Sequence, residues 1–351
     1  MVELFSISLY TILITYTGVG NLRLWAERRL LAMPNERSSH TTPTPTGGGI
    51  AIALMSLLGL VIFALLTHRF DASLGFLIAG GAFVAFISWL DDLYTMPIQV
   101  RLVVHSLSAL CLICGAGYIH GVTLPLLASI SLGWLGFVVT FLCTISLINA
   151  YNFMDGIDGI AGAQAVIAGL TWTWIGYCLA APLVMALGAM VAASSLGFLG
   201  YNWPPARIFM GDVGSAFLGY SFAALVVLAA HDQPQLACIG LLVIWPFVFD
   251  TVFTLIRRWR QGENVFQAHR THLYQRLVIA GHSHRTVTLL YGGLACVGAL
   301  LGLGWFHAIP GSAMAIVIVL PVLAIALCLA VRYYEARPVK LRAVFQERVT
   351  T

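Results

Sequence analysis

Ile50–Leu66 reads IAIALMSLLGLVIFALL, 17 residues without a charge, and the next charged side chain is Arg69. A helix needs roughly 20 largely apolar residues to cross the hydrocarbon core of a bilayer, where every backbone N–H and C=O must be satisfied within the segment. This run meets that requirement between two polar breaks, Thr46-Gly-Gly-Gly49 and Thr67-His-Arg69. The pattern recurs along the chain. Cutting at polar and Gly/Pro-rich breaks leaves about eleven such segments, centred near Ile12, Leu57, Val84, Leu107, Val138, Ala168, Leu187, Leu225, Val248, Ala295 and Val319. Composition agrees, since 60% of the 351 residues are hydrophobic and only 9% are charged, against about 25% charged in an ordinary soluble domain. The expectation is an all-α polytopic membrane protein of about eleven transmembrane helices in a single domain, with no nucleic-acid partner. The chain opens on Glu3 rather than a basic stretch, and no small-residue cleavage site follows the first apolar run, so that run reads as a retained span.

The positions of the charges orient the bundle. With an odd number of spans the loops alternate between two sides, and 17 of the 18 Lys and Arg residues then fall on one of them. Arg69 alone lies on the other. Excess Lys and Arg marks the cytoplasmic side, which places the N-terminus outside and the C-terminus in the cytoplasm. The same sorting gathers Asp91, Asp92, Asp155, Asp158 and Asp212 on the cytoplasmic side, each at a helix mouth. Outer loops reduce to short turns such as 67–73 and 231–235, too small for a site of their own. His68, His120, His231 and His307 read as interfacial residues at that outer boundary. All seven cysteines lie in apolar runs and read as packing residues, Cys111 and Cys114 included, because a redox CxxC needs a wet, electropositive setting.

Five polar clusters interrupt the apolar background: Pro43-Thr-Pro-Thr-Gly-Gly-Gly49, Asp91-Asp92, Asn149-Ala-Tyr-Asn-Phe-Met-Asp-Gly-Ile-Asp-Gly-Ile160, Arg207-Ile-Phe-Met-Gly-Asp-Val-Gly-Ser215 and His269-Arg-Thr-His-Leu-Tyr-Gln-Arg276. One carboxylate at a helix start can simply be a cap, and glycines can simply end helices. Capping does not require Asp-Asp, Asn-x-x-Asn and Asp-x-x-Asp together at a lipid boundary. Phosphoryl transfer does want this inventory: carboxylates to hold Mg²⁺ or Mn²⁺ against a diphosphate, and Arg and His to offset the developing charge. Asn149, Asn152, Asp155 and Asp158 recur every third residue, so a 3₁₀-like stretch would align all four where a straight α-helix would not. Thr46–Gly49 reads equally as a phosphate cradle or as the flexible start of a helix. The long polar stretch 257–285 reads as a mobile, cation-rich part of the site, bringing His269, Arg270, His272 and Arg276 towards a diphosphate. Asp250, well inside a span, reads as an internal partner or helix anchor near Arg257 and Arg258. The rival reading, an ion-coupled transporter, would need its acids near the bilayer midplane in broken helices.

The stretches NAYNFMDGIDGIAG and RIFMGDVGSAFLGY, with Arg37-Ser-Ser-His40 before them and HRTHLYQRL after them, resemble the polyprenyl-phosphate N-acetylhexosamine-1-phosphate transferase family. The resemblance covers nearly the whole chain. It implies a Mg²⁺-dependent site in a cytoplasmic cleft built from loops near 26–48, 91–98, 149–160, 201–214 and 257–285. The implied substrates are undecaprenyl phosphate as acceptor and a UDP-sugar as donor, with UMP released. It implies the metal at Asp212 with Asn152, the acceptor phosphate beside Asp91 and Asp92, and the nucleotide at Asp155 and Asp158 with Phe209 as a stacking ring. His269 and His272 would meet the donor diphosphate. Two departures, the run Asp91-Asp-Leu-Tyr94 without a further acid or lysine and two histidines in place of three in a row, speak against the peptidoglycan branch. The form of the His-rich stretch resembles the O-antigen initiating branch, whose donors carry an N-acetylated hexosamine, often a 6-deoxy one.

Overall fold

The computed structural model describes residues 2–33, 42–94, 96–231, 233–265, 267 and 269–336. Arg37-Ser-Ser-His40 and the basic tail with Arg337, Lys340, Arg342 and Arg348 lie outside the described residues. Helices dominate: α1 (Val2–Ala26), α2 (Gly49–Thr67), α3 (Ala72–Tyr94), α4 (Ile98–Ala116), α5 (Leu135–Met154), α6 (Ile160–Cys178), α7 (Pro182–Asn202), α8 (Asp212–Ala230), α9 (Gln235–Val243), α10 (Trp245–Arg260), α11 (Leu273–Ile279), α12 (His284–Phe306) and α13 (Ser312–Glu335). Two antiparallel hairpins accompany them. The first pairs β1 (Leu31–Ala32) with β2 (Thr44–Pro45), and the second pairs β3 (Gly121–Thr123) with β4 (Ser129–Ser131). The second hairpin makes the connection from α4 to α5 more than the short turn expected of an outer loop.

At the centre stands α8, which packs against α2, α3 and α5 and buries 94% of its apolar window. At the margin, α13 buries 17% of its own window and leaves Val317, Val322 and Ile325 exposed, as a helix facing lipid does. Lipid tails are as apolar as leucine, so close approach of backbones through small residues holds such helices together. Gly49 and Gly214 show this where α2 crosses α8: a Cβ on either would collide with the other's backbone. That crossing brings the start of α8 against residues 47–49, where the N–H groups of Gly48 and Gly49 donate to the carbonyls of Phe209 (3.0 Å) and Met210 (2.8 Å). Those two N–H groups are spent within the protein and cannot receive a phosphate.

Among the described residues, nine helices are long and apolar enough to cross a membrane, or ten if α9 and α10 count as one span. The remaining segment expected near Ala168 is α6, 19 residues long, which falls short in apolarity. It carries Gln164, Thr171 and Thr173 and lies packed along α7. The span expected near Val248 is not one helix. It breaks at Ile244 with an 82° bend between α9 and α10, because Pro246 has no N–H to extend the ladder and starts a new helix. The freed carbonyl of Val243 accepts the Gln164 amide at 3.0 Å, so the break is satisfied inside the protein. Trp245 seals the corner by donating its indole N–H to the Leu294 carbonyl at 2.7 Å.

Candidate active site

The ends of α3, α5, α7, α8, α11 and α12 converge on one cavity of about 360 Å³, a size suited to a small organic ligand. Its walls carry Asp92, Asn152, Asp155, Asp158, Phe209 and Asp212. Asp91 and Asp92 end α3, and neighbouring residues on a helix point about 100° apart. The pair therefore divides. Asp91 turns to Arg101 on α4 (2.8 Å) and accepts the Met96 N–H. Asp92 turns to α8, where Oδ1 accepts the Asp212 N–H at 3.1 Å and Oδ2 is buried without a partner.

Asp212 is the first residue of α8, where the positive end of the helix dipole favours a carboxylate. Gly211 before it has φ 76°, a left-handed conformation that frees the turn to close against Asp92. Asn152, in the last turn of α5, donates from Nδ2 to Asp212 Oδ1 (3.0 Å) and to Ser215 Oγ (2.9 Å). Arg101 stands behind Asp212 at 3.8 Å and thereby links both acidic clusters.

The three-residue period does not come from a 3₁₀ stretch. Asn149 and Asn152 belong to α5, Asp155 caps its end, and Asp158 lies in the turn before α6, with Gly159 at φ 77°. Asn149 bonds back to the Ile145 carbonyl (2.7 Å) and lies against His105, outside the cavity wall. Asp158 is held by the Ala206 N–H (3.0 Å) and His284 (3.1 Å), while its carbonyl accepts from Thr288. Among the described residues Asp155 has no such cation beside it. Burial, followed by the negative charges of Asp212, Asp92 and Asp158, pushes its carboxyl up to about 8.

The basic segment is organised from behind. Asp250, wholly buried on α10, accepts the N–H groups of Leu273 (2.8 Å) and Tyr274 (3.1 Å), the Tyr291 hydroxyl (2.6 Å) and the Thr254 hydroxyl (3.1 Å), with His272 Nδ1 at 3.3 Å. It is an anchor, as expected, but its partners are His272, Tyr291 and the start of α11 rather than the nearby arginines. A carboxylate committed to five donors has little capacity left to carry an ion. His272 is 2% exposed in this network, and Arg276 forms a forked pair with Glu335 (2.7 and 2.5 Å). His269 lies 4.9 Å from the His272 ring, and Arg270 keeps a buried Nε without a partner. None of these four lines the cavity; α11 contributes Gln275 instead. Tyr274 follows by donating to the Phe153 carbonyl at 3.0 Å over Gly156, where any side chain would meet its hydroxyl.

Sequence reasoning did not single out Arg101, Ser215, Gln275 or His284. Ser215 and Gln275 lie inside the quoted polar clusters without having been given a role, and His284 carried a local signal of its own, a histidine within the polar start of an apolar run, His282-Ser-His-Arg285. No group of three or more His, Cys, Asp and Glu side chains close enough to hold a metal occurs among the described residues. The donor set nonetheless fits Mg²⁺, which takes one or two protein carboxylates and fills its octahedron with water and substrate oxygens. Asp212 and the orphaned Asp92 Oδ2 are such oxygens. Asn152 Nδ2 is spent on Asp212 and Ser215, which leaves its carbonyl oxygen as the third.

Residues 73–230 match the model of glycosyl transferase family 4. A probable undecaprenyl-phosphate N-acetylglucosaminyl 1-phosphate transferase of Bacillus subtilis is 31% identical over 295 residues, covering 83% of this chain and 80% of that protein. The decaprenyl-phosphate N-acetylglucosaminephosphotransferase of Mycobacterium tuberculosis is 32% identical over 338 residues, with 85% and 82% covered. At 26% over 287 residues follows the undecaprenyl-phosphate alpha-N-acetylglucosaminyl 1-phosphate transferase of Yersinia pestis, with 78% and 76% covered. With its acidic cavity at the helix ends of an apolar bundle, the chain belongs to the polyprenyl-phosphate N-acetylhexosamine-1-phosphate transferase family, glycosyl transferase family 4.

Proposed function

We propose that this chain transfers a sugar 1-phosphate from a UDP-N-acetylhexosamine to undecaprenyl phosphate, giving the lipid diphosphate sugar and UMP. The observation that carries this reading is the cavity itself, in which four carboxylates meet at the lipid-boundary end of the helices. A lipid phosphate oxygen attacks the sugar-bearing phosphorus in line, and the bond from that phosphorus to the UMP oxygen breaks. Mg²⁺ (or Mn²⁺), held by Asp212 and Asn152 with Asp92 in reach, would neutralise charge on the departing UMP. Asp92 holds the acceptor phosphate or takes its residual proton, with Asp91 and Arg101 fixing the end of α3 behind it. A phosphate dianion is already a capable nucleophile, so no covalent enzyme intermediate is required.

Asp155 and Asp158 read the uracil edge by hydrogen bonding, and Phe209 stacks on the base. His269 and Arg270 meet the donor diphosphate from beyond the cavity wall, while His272 and Arg276 hold the segment that carries them. The placement that suits this chemistry has eleven spans, an outer N-terminus and the cavity on the cytoplasmic side of a bacterial inner membrane, where nucleotide sugars are found. The donor of the O-antigen initiating branch, an N-acetylated hexosamine or its 6-deoxy form, is the first to try.

Membranes carrying the protein should release UMP from a UDP-N-acetylhexosamine only when undecaprenyl phosphate is added. Ion-driven uptake of a solute without UMP release would replace this reading with that of a carrier.

A further inference from the structure

A second cavity, of about 630 Å³, opens between α10, α11 and α13. Its floor is apolar, with Phe253, Leu273 and Cys328, and its rim carries Arg257, Arg276 and Arg332 from three different helices. Among the described residues Glu335 is the one acid lining it, and it is already forked onto Arg276. Arg257 gives one N–H to the Thr271 carbonyl (3.0 Å), and its Nε is buried without a partner. Three guanidinium groups against one carboxylate leave the rim positive.

The depth of this cavity in the bilayer can be read from its surroundings. It lies at the final turns of α10 and α13, beside Trp259 and Tyr333, which are 72% and 59% exposed. Large aromatics exposed at a helix end form the belt found at headgroup level. An apolar floor below a cationic rim at that level matches an amphiphile, with chains against Phe253 and a phosphate among the arginines.

We infer that this cavity binds the phosphate-bearing headgroup of an anionic bilayer lipid. Its position couples it to the first cavity, because α11 serves both. Leu273 and Arg276 line the lipid cavity, Gln275 lines the reaction cavity, and Asp250 pins the start of the same short helix. A bound headgroup steadies α11 and with it the wall that Gln275 forms.

The test uses Arg332→Gln. Arg332 is exposed on α13 and lies outside the reaction cavity. Native mass spectrometry of the purified full chain counts retained phosphatidylglycerol and phosphatidylcholine. Turnover is then compared in vesicles of phosphatidylcholine alone and with phosphatidylglycerol added. The variant should retain phosphatidylglycerol about fivefold more weakly, as expected for one arginine at a membrane surface. It should keep parent turnover in pure phosphatidylcholine and lose the increase that phosphatidylglycerol brings. Equal retention of the anionic lipid by parent and variant, or equal retention of both lipids by the parent, overturns the assignment. Displacement of the lipid by millimolar inorganic phosphate means that the site takes free phosphate, and overturns it too. The turnover arm rests on the proposed transfer reaction and the binding arm does not, so the two can fail separately.

Discussion

Replacing Asp250 with asparagine tests how the reaction cavity gets its fourth wall. The carboxylate is wholly buried, and its two oxygens divide the donors: Oδ1 accepts from Thr254, His272 and Leu273, and Oδ2 from Tyr274 and Tyr291. Asparagine keeps the shape but turns one oxygen into a donor, so whichever way the amide faces it loses a backbone N–H, that of Leu273 or that of Tyr274, while the hydroxyls and the imidazole can turn to accept. Hydrogen bonds to charged groups contribute about 1.5–3 kcal/mol each, which puts the loss at about 1.5–3 kcal/mol. The donors tie α11 to α10 and α12, so the loss should appear as local opening of α11 before global unfolding. With each 1.4 kcal/mol worth a factor of ten, exchange of the amides in 270–280 should speed up by roughly one to two orders of magnitude. Hydrogen–deuterium exchange on that peptide measures it, with peptides of α8 as the internal control. Unchanged protection in 270–280 would refute the claim that Asp250 sets the position of α11.

Asp212→Asn should cut UMP release at least about a hundredfold, the size expected for loss of a group that stabilises transition-state charge, and should leave the helical circular dichroism unchanged because asparagine suits a helix start; substantial turnover in Mg²⁺ would remove Asp212 from the metal. Phe209→Ala should raise the donor KM by about 5- to 150-fold, the range given by one base-stacking contact, and steady-state kinetics showing an unchanged KM would exclude stacking there. The Asp155 carboxyl is pushed up to about 8 in the folded protein and is near 4 unfolded, so between these values the native state holds a proton that the unfolded state does not. Stability should therefore fall as pH rises through that window and level off above it. Thermal unfolding from acid to mildly alkaline pH should show this slope in the parent and a shallower one in Asp155→Asn. Identical slopes would remove Asp155 as its source.

Span positions were legible because apolar run length is a strong signal and each expected centre falls on a helix of the structure. The break in the Val248 segment had a visible cause in Pro246, but a proline inside an apolar run permits a kink as readily as a stop, and the 82° corner depends on α12 and Gln164 packed around it. The acids that would matter were legible one by one, since a carboxylate at a lipid boundary is conspicuous. Their division of labour was not. Asp91 and Asp92 are adjacent in sequence, and only the helix geometry sends one to Arg101 and the other to α8. The Asn/Asp period of three misled for a related reason: α5 ends at Met154, and from Asp155 (φ -88°, ψ 56°) onward the backbone is irregular, so spacing ceases to report direction. His272 looked like a substrate contact because nothing local to it shows that Asp250, 22 residues earlier, would bury it.

The central claim is that phosphorus moves together with the sugar, and a donor radiolabelled in the β-phosphate tests it most directly. Purified protein in vesicles with undecaprenyl phosphate, Mg²⁺ and a β-labelled UDP-N-acetylhexosamine should place the label in the lipid fraction and leave the released UMP unlabelled. Label recovered as UDP in the aqueous phase, with sugar alone on the lipid, would contradict the account.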